Sequence, residues 1–395
     1  MPELLLVYQI LILAGLVFSL LTVLANLATF KRLRAAPEFG PDAPLVSILV
    51  PARNEARNIK PCAASLLLQT YPNWELIVLD DHSEDGTGQI LRELGLRPDD
   101  SRRHLIEGAP LPAGWTGKNW ACHQLAEQAR GEYLFFTDAD TVHAPGTVTA
   151  LVAHAGLTNA SLVSAWPRLL TETWSEKLII PMILLLGMVL YPHWLLTLLQ
   201  KTGLGARLPR SVARSLGAAN GQSLFFKRAV YETIGGHSAV RNHLVEDVAL
   251  GREITARLSQ GMRLENCEAV NFSTCRMYRC FEEVWEGFTK NMRPAFERSV
   301  SAFLFVGAMQ FCLFFVPFIA ISGAGELGGI VGMEVGLIYL IRLLLAIRFK
   351  TSFLGALLHP FGHALALAIG LNSWRRSAGA GVSWKGRTYQ HIASN

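Results

Sequence analysis

The chain has 395 residues, 51% of them hydrophobic, and a formal net charge of +5, which leaves room for one sizeable globular domain, several membrane segments and little else. No basic patch interleaved with aromatics occurs, so nucleic acid is excluded as a partner and the excess charge is assigned to membrane-facing loops. The six cysteines form no CxxC pair and show no zinc-type spacing, so in a cytoplasmic domain they are expected to be reduced thiols.

Leu4 to Phe30 is a nearly uncharged apolar stretch, too long for a signal-peptide core, and it reads as a retained transmembrane helix. Lys31, Arg32 and Arg34 follow at once, and the positive-inside bias then puts the succeeding residues in the cytoplasm. A linker with Pro and Gly precedes a strand at Leu45 to Val50, the turn Pro51-Ala-Arg-Asn-Glu55, and a helix with Ile59, Ala63, Leu66 and Leu67 on one face. A second strand, Leu76 to Leu79, runs into Asp80-Asp81 and a turn-rich segment ending at Thr87 that starts another helix. Gly114 to Trp120 is a donor-rich turn opening a helix toward Arg130, and that helix feeds the strand Tyr133 to Thr137. This alternation predicts an α/β fold with a doubly wound sheet. Ligands bind such sheets at the strand carboxyl ends, although neither glycine fingerprint of dinucleotide or P-loop folds is present.

The strand at Tyr133 stops at Asp138-Ala-Asp140. Alternation along an extended chain would turn both carboxylates to one side, where they could share a divalent cation, with Ala139 facing away. Lys118, between a glycine and two indoles at a helix start, is placed to meet an anionic phosphate. Farther on, Val245-Glu246-Asp247 opens another helical pattern.

Leu178 to Leu199 is apolar enough to span a bilayer, yet the strand-like stretches on either side, Ser161 to Ala165 and Leu216 to Phe226, read as parts of one domain. With Pro181, Pro192 and His193 inside and Lys201, Arg207, Arg210 and Arg214 just after, residues 178–214 are expected to lie in the cytoplasmic interface, with a buried helical hairpin as the alternative. Ala302 to Ile321, Leu327 to Ile347 and Phe353 to Leu371 are long enough to span. Charges on both sides of the last suggest a re-entrant or interfacial segment. The expected organisation is a transmembrane helix at 1–34, a cytoplasmic domain at 45–291, membrane segments at 302–372 and a basic tail at 373–395.

Val46-Ser-Ile-Leu-Val-Pro-Ala-Arg-Asn-Glu55, Asp80-Asp81, Asp138-Ala-Asp140 and Glu246-Asp247, in this order and spacing, resemble the second family of inverting nucleotide-sugar glycosyltransferases over roughly residues 45–291. Gly114-Trp-Thr-Gly-Lys-Asn-Trp-Ala-Cys122, the lipid-facing helices and Trp384-Lys-Gly-Arg-Thr-Tyr389 resemble the membrane enzymes that glycosylate carotenoids and hopanoids, and more distantly ceramide glucosyltransferase. The resemblance implies an A-type glycosyltransferase domain flanked by transmembrane helices. It puts Pro51, Arg53 and Glu55 near the nucleotide base, Asp81 on the base or ribose, and Lys118 near the diphosphate. Asp138 and Asp140 would line the nucleotide sugar and hold Mg2+ or Mn2+; Asp247 would be the general base, with Glu246 the next candidate.

The family's Gln/Arg-x-x-Arg-Trp motif is kept at Arg276 and Arg279, but Cys280 stands where Trp is expected, and Trp285 could substitute from one turn further on. These residues are expected on the acceptor or diphosphate side. The lost Trp argues against a long polysaccharide threading past. The implied activity is transfer of a single sugar from a nucleotide sugar, UDP-linked by preference, to a hydroxyl of a membrane lipid or terpenoid, by a multi-pass enzyme of the cell membrane. A processive polysaccharide synthase and a non-catalytic binding or transport protein are the alternatives.

Overall fold

The computed structural model describes residues 2–296, 299–323, 325–377 and 382–389. The chain divides into two compact units, one drawn from residues 1–29, 169–194 and 278–391 and the other chiefly from 30–168 and 195–277.

The second unit is the sheet domain. In chain order the strands are β1 (Lys31–Arg32), β2 (Val46–Ala52), β3 (Trp74–Asp80), β4 (Arg103–Glu107), β5 (Tyr133–Thr137), β6 (Thr141–His143), β7 (Leu162–Trp166), β8 (Arg168–Leu169), β9 (Ser223–Lys227), β10 (Leu264–Glu268) and β11 (Ser273–Cys275). Eight form one sheet in the order β1-β10-β7-β9-β5-β2-β3-β4, and β6, β11 and β8 form a smaller one. The large sheet is parallel except for β9, which runs antiparallel to both β5 and β7. Buried on both faces, the central strands read as continuous apolar runs. Val46, Ile48, Val50 and Phe135 belong to the core on one face, while Leu49, Leu134, Phe136 and Phe226 belong to the core on the other.

β7 and β9 pair within this sheet, so the two strands that flank Leu178 to Leu199 in sequence do belong to one domain. The strand expected from Leu216 begins only at Ser223, because residues 217–219 pack instead against the helix Glu246–Thr255. A Cβ on Gly217 would lie 2.6 Å from the Cα of Arg252. β10 escapes a periodicity reading, since Leu-Glu-Asn-Cys-Glu carries few apolar residues. Its acids are matched from β1, Lys31 to Glu265 and Arg32 to Glu268, each at 3.1 Å.

The first unit is helical: Pro2–Thr29, Trp174–Leu190, Phe281–Met292, Val300–Phe314, Val316–Ala320, Gly328–Phe349, Phe353–Leu357 and His359–Ser377. Among the described residues, three helices are long and apolar enough to cross a membrane: Glu3–Thr29, Val300–Gly323 and Gly325–Phe349. Their apolar side chains face outward, with Leu4 76% and Phe18 and Phe305 each 70% exposed, as a lipid-facing surface requires. The stretch Phe353 to Leu371 is not a continuous span; it breaks at Leu358, before His359-Pro360. The run Leu178 to Leu199 likewise breaks at Tyr191-Pro192, where Asn26 Nδ2 donates to the carbonyls of Met188 (2.8 Å) and Tyr191 (2.9 Å).

Candidate active site

Strand register gathers the sequence motifs at one edge. Ala52 at the end of β2 aligns with Asp80 at the end of β3, and Asp80 with Glu107 at the end of β4. β5 is parallel to β2 and delivers Asp138 to the same edge. Because β9 runs the other way, its beginning lies there too: Ser223 pairs with Thr137, and the Thr137 hydroxyl donates to the carbonyl of Gln222 at 2.9 Å.

The loops after β2 and β3 are laced together. Asn54 N–H donates to Ser83 Oγ (2.9 Å), Glu84 N–H to Asn54 Oδ1 (2.9 Å), Glu55 N–H to Thr87 Oγ1 (2.8 Å) and Ala56 N–H to Asp85 Oδ2 (2.8 Å). Arg53 donates to the carbonyl of Asp81, whose side chain is buried. Asn54 and His82 have φ of 52° and 55°, a left-handed geometry that Asn tolerates better than most residues. Arg53, Glu55 and Asp81, expected around a nucleotide base, are thereby collected on two interlocked loops, with Pro51 in β2 just before the first.

Beyond Thr137 the chain leaves the extended form, since Ala139 and Asp140 lie in a turn. The alternation of an extended strand therefore stops at Thr137 and does not by itself turn Asp138 and Asp140 to one side. Ala139 is buried in the core, while both carboxylates are partly exposed. Burial pushes the Cys62 thiol up, and the charges of Asp140, Glu55 and Asp138 push it further. Burial and then Asp140 and Asp138 do the same to Cys275. The carboxylates thus border common ground. Oxygen donors of this kind suit Mg2+ or Mn2+. Among the described residues no group of three or more His, Cys, Asp or Glu could hold a metal by itself, so a cation at Asp138 and Asp140 fits only with phosphate oxygens and water completing its shell.

Lys118, with its side chain 39% exposed, is paired to two carboxylates in this structure. Its Nζ lies 2.7 Å from Asp138 Oδ1 and 2.7 Å from Glu246 Oε1. The helix Gly117–Gln128 is fixed for this by Thr116, whose hydroxyl oxygen caps Asn119 N–H and whose own N–H donates to the Arg241 carbonyl at 2.8 Å. Asn119 Nδ2 donates to the carbonyls of Val240 (2.7 Å) and His243 (3.0 Å), pinning the segment that leads into Glu246. Burial would lower the Lys118 ammonium, but Asp138 and Glu246 hold it well above its ordinary value. Burial would likewise raise Glu246, and Lys118 holds it below the usual range.

The next residue has the opposite fate. Asp247 Oδ2 accepts from the N–H of Gly221 at 2.7 Å, and Oδ1 from Val248 N–H at 2.8 Å. A Cβ at position 221 would sit 3.0 Å from Oδ2, so glycine is what lets this backbone approach. Burial and then the adjacent Glu246 charge push the Asp247 carboxyl up to about 7, which suits a group that must accept a proton near neutrality.

Arg276 follows β11, whose Cys275 thiol accepts from Gln222 Nε2 at 3.0 Å. Arg279 and Trp285 belong to the helical unit. There Arg279 N–H donates to Glu283 Oε2 at 2.8 Å, and Trp285 packs on Phe281, which stacks on Trp174 at 5.4 Å. The structure thus brings together Arg53, Asp81, Lys118, Asp138, Asp140, Glu246 and Asp247 in one unit. Gly221 and Asn119 were not singled out by sequence; the only signals were a glycine just before a strand and an Asn three residues after a capping Thr.

An open α/β sheet with acidic groups gathered at its carboxyl edge places the candidate site where such sheets bind ligands, and comparison with solved structures gives the fold as that of the A-type glycosyltransferases. The chain belongs to the glycosyl transferases: the model for glycosyl transferase family 2 matches residues 47–186 and that for glycosyl transferase family 21 residues 181–393. It is 26% identical over 358 residues to 4,4'-diaponeurosporenoate glycosyltransferase of Staphylococcus aureus (strain MRSA252), covering 87% of this chain and 88% of the relative. The enzyme of the same name from strain USA300 is 24% identical over 372 residues, with the same shares covered. Among solved structures, mannosyltransferase PcManGT from Pyrobaculum calidifontis, in complex with GDP-Man and Mn2+, superposes with a TM-score of 0.50 at 18% identity, covering 94% of this chain and 98% of that one.

Proposed function

We propose that this glycosyltransferase moves a single sugar from a UDP-sugar to a hydroxyl of a lipid or terpenoid acceptor, with inversion, at the cytoplasmic face of the cell membrane as a multi-pass protein. The observation that carries the reading is Asp247, held by the Gly221 N–H at 2.7 Å and raised to about 7 beside a Glu246 already paired to Lys118. Asp247 takes the acceptor hydroxyl proton as that oxygen attacks the anomeric carbon. The bond to the nucleoside diphosphate breaks on the opposite face, which inverts the centre. Pro51, Arg53, Glu55 and Asp81 bind the nucleotide. Lys118 lies near the diphosphate and also holds Asp138 and Glu246 in place.

A Mg2+ or Mn2+ held by Asp140 and Asp138 would neutralise the diphosphate when bound. Arg276, Arg279 and Trp285 serve the acceptor or diphosphate side. Three lipid-length helices and a relative named for a carotenoid-type glycosyl transfer support an acceptor whose apolar body stays in the bilayer.

Membranes containing the protein, incubated with UDP-sugar labelled in the sugar, should yield organic-extractable label of low mass, and excess EDTA should abolish it reversibly. Label appearing only in a water-soluble polymer would instead indicate a processive synthase. Full activity in EDTA would remove the cation from the account.

A further inference from the structure

Residues 195–217 of the sheet unit form a surface that the chemistry above does not use. No acidic residue occurs between Glu176 and Glu232. Within this stretch the helix His193–Thr202 buries Leu196 and exposes Leu198; the turn Leu204–Arg207 exposes Leu204; and the helix Arg210–Ser215 buries Ala213 and exposes Val212. The three outward apolar residues are 47%, 48% and 47% exposed, and Lys201, Arg207, Arg210 and Arg214 are interspersed with them.

A polar pocket of about 250 Å³ opens beside the patch, lined in part by Gly205, Arg210, Arg257, Ser259 and Gln260. Its wall is tight, since a Cβ on Gly205 would lie 3.1 Å from Leu258. Glu253 meets three of the guanidinium groups, Arg257 at 2.5 Å, Arg214 at 3.6 Å and Arg210 at 3.9 Å. One carboxylate against three guanidiniums leaves the pocket region with excess positive charge.

We propose that this face docks on an anionic bilayer surface, with a phospholipid phosphate entering the pocket at Arg210 and Arg257 and with Leu198, Leu204 and Val212 entering the interface. Charge complementarity selects an anionic occupant. The apolar side chains between the cations select a membrane over a soluble phosphate, which would gain nothing from them. No Trp, Tyr or Phe occurs from Leu195 to Gly217, so the stacking that single-stranded nucleic acid needs is missing. In sequence the patch follows directly on the apolar helix Trp174–Leu190. The inference rests on the chain being membrane-anchored, but not on sugar transfer.

Hydrogen exchange on the full chain in nanodiscs tests it without any turnover. Amides 203–214 should exchange at least about fivefold more slowly in discs containing phosphatidylglycerol than in discs of phosphatidylcholine alone, in keeping with the attraction of each basic residue to an anionic surface. The triple change Arg207→Gln, Arg210→Gln and Arg214→Gln should abolish the difference, and so should Leu204→Glu with Val212→Glu, while amides of β2 stay protected as a check on folding. Equal protection in both lipids would overturn the proposal. Reproduction of the effect on phosphatidylcholine discs by soluble glycerol phosphate would overturn it in favour of a free anion site.

Discussion

Two loop systems meet the carboxyl edge of the same sheet and are built in opposite ways. The loops after β2 and β3 satisfy each other with neutral and charge-assisted hydrogen bonds, Asn54 to Ser83 and Ala56 to Asp85 among them. The loop after β5 and the helix at Glu246 meet instead through charge, one ammonium serving two carboxylates, with Asp247 outside that ion pair and raised to about 7. The first system is preformed by hydrogen bonds between its own loops. The second is set by protonation, so substitutions there should move pH profiles as well as rates.

The largest effect is expected at the group outside the ion pair. Asp247→Asn should lower kcat by at least about a hundredfold, the usual worth of a general base, while UDP-sugar affinity measured by calorimetry stays nearly unchanged. Its effect on stability has a definite sign. A carboxyl whose folded value is raised above the unfolded one binds more protons when folded, so the wild type loses stability as pH rises from about 4 through 7. Asp247→Asn should therefore melt no lower than the wild type at pH 8, and a large fall in Tm would mean that the substitution breaks structure rather than chemistry.

Next in size is Lys118→Met, which leaves Asp138 and Glu246 without their ammonium. Lys118 also lowers Asp247, so the ascending limb of kcat/KM should move above pH 7. A shift of one unit would cost about tenfold below the limb. An unmoved limb would show that the ion pair does not tune Asp247. Smaller still is Gly221→Ala. The added Cβ would come 3.0 Å from Asp247 Oδ2, so the carboxylate must give by a few tenths of an ångström. Misplacement on that scale should lower kcat severalfold with donor affinity unchanged; a wild-type kcat would mean that the Gly221 contact does not position the base.

How far the sequence carries this comparison differs between its two halves. The strand Tyr133–Thr137 was read to the residue, because an apolar run bounded by Gly131 and Asp138 has clear ends. The strand ends bearing Glu55, Asp81 and Asp138 followed from the βαβ pattern, since parallel register puts them on one edge. The Lys118 ion pair was not legible. Glu246 lies far along the chain, and tertiary hydrogen bonds, from Asn119 to Val240 and His243 and from Thr116 to Arg241, bring the two helix starts together. β10 was missed because its pairing with β7 and the match of its acids to Lys31 and Arg32, rather than apolar content, keep it in the sheet. The basic residues after the first helix, read for topology, thus also serve the sheet edge.

The central claim is that Asp247 is the base and that Glu246, held ionised by Lys118, sets its proton affinity. The pH dependence of kcat/KM for wild type and Glu246→Gln, measured with one labelled UDP-sugar and one lipid extract, tests it most directly. The wild type should show an ascending limb near pH 7, and Glu246→Gln, lacking the charge that raises Asp247, should show that limb at lower pH with activity retained above it. A limb at the same pH in both proteins would contradict the account, and so would a wild-type profile with no ascending limb near neutrality.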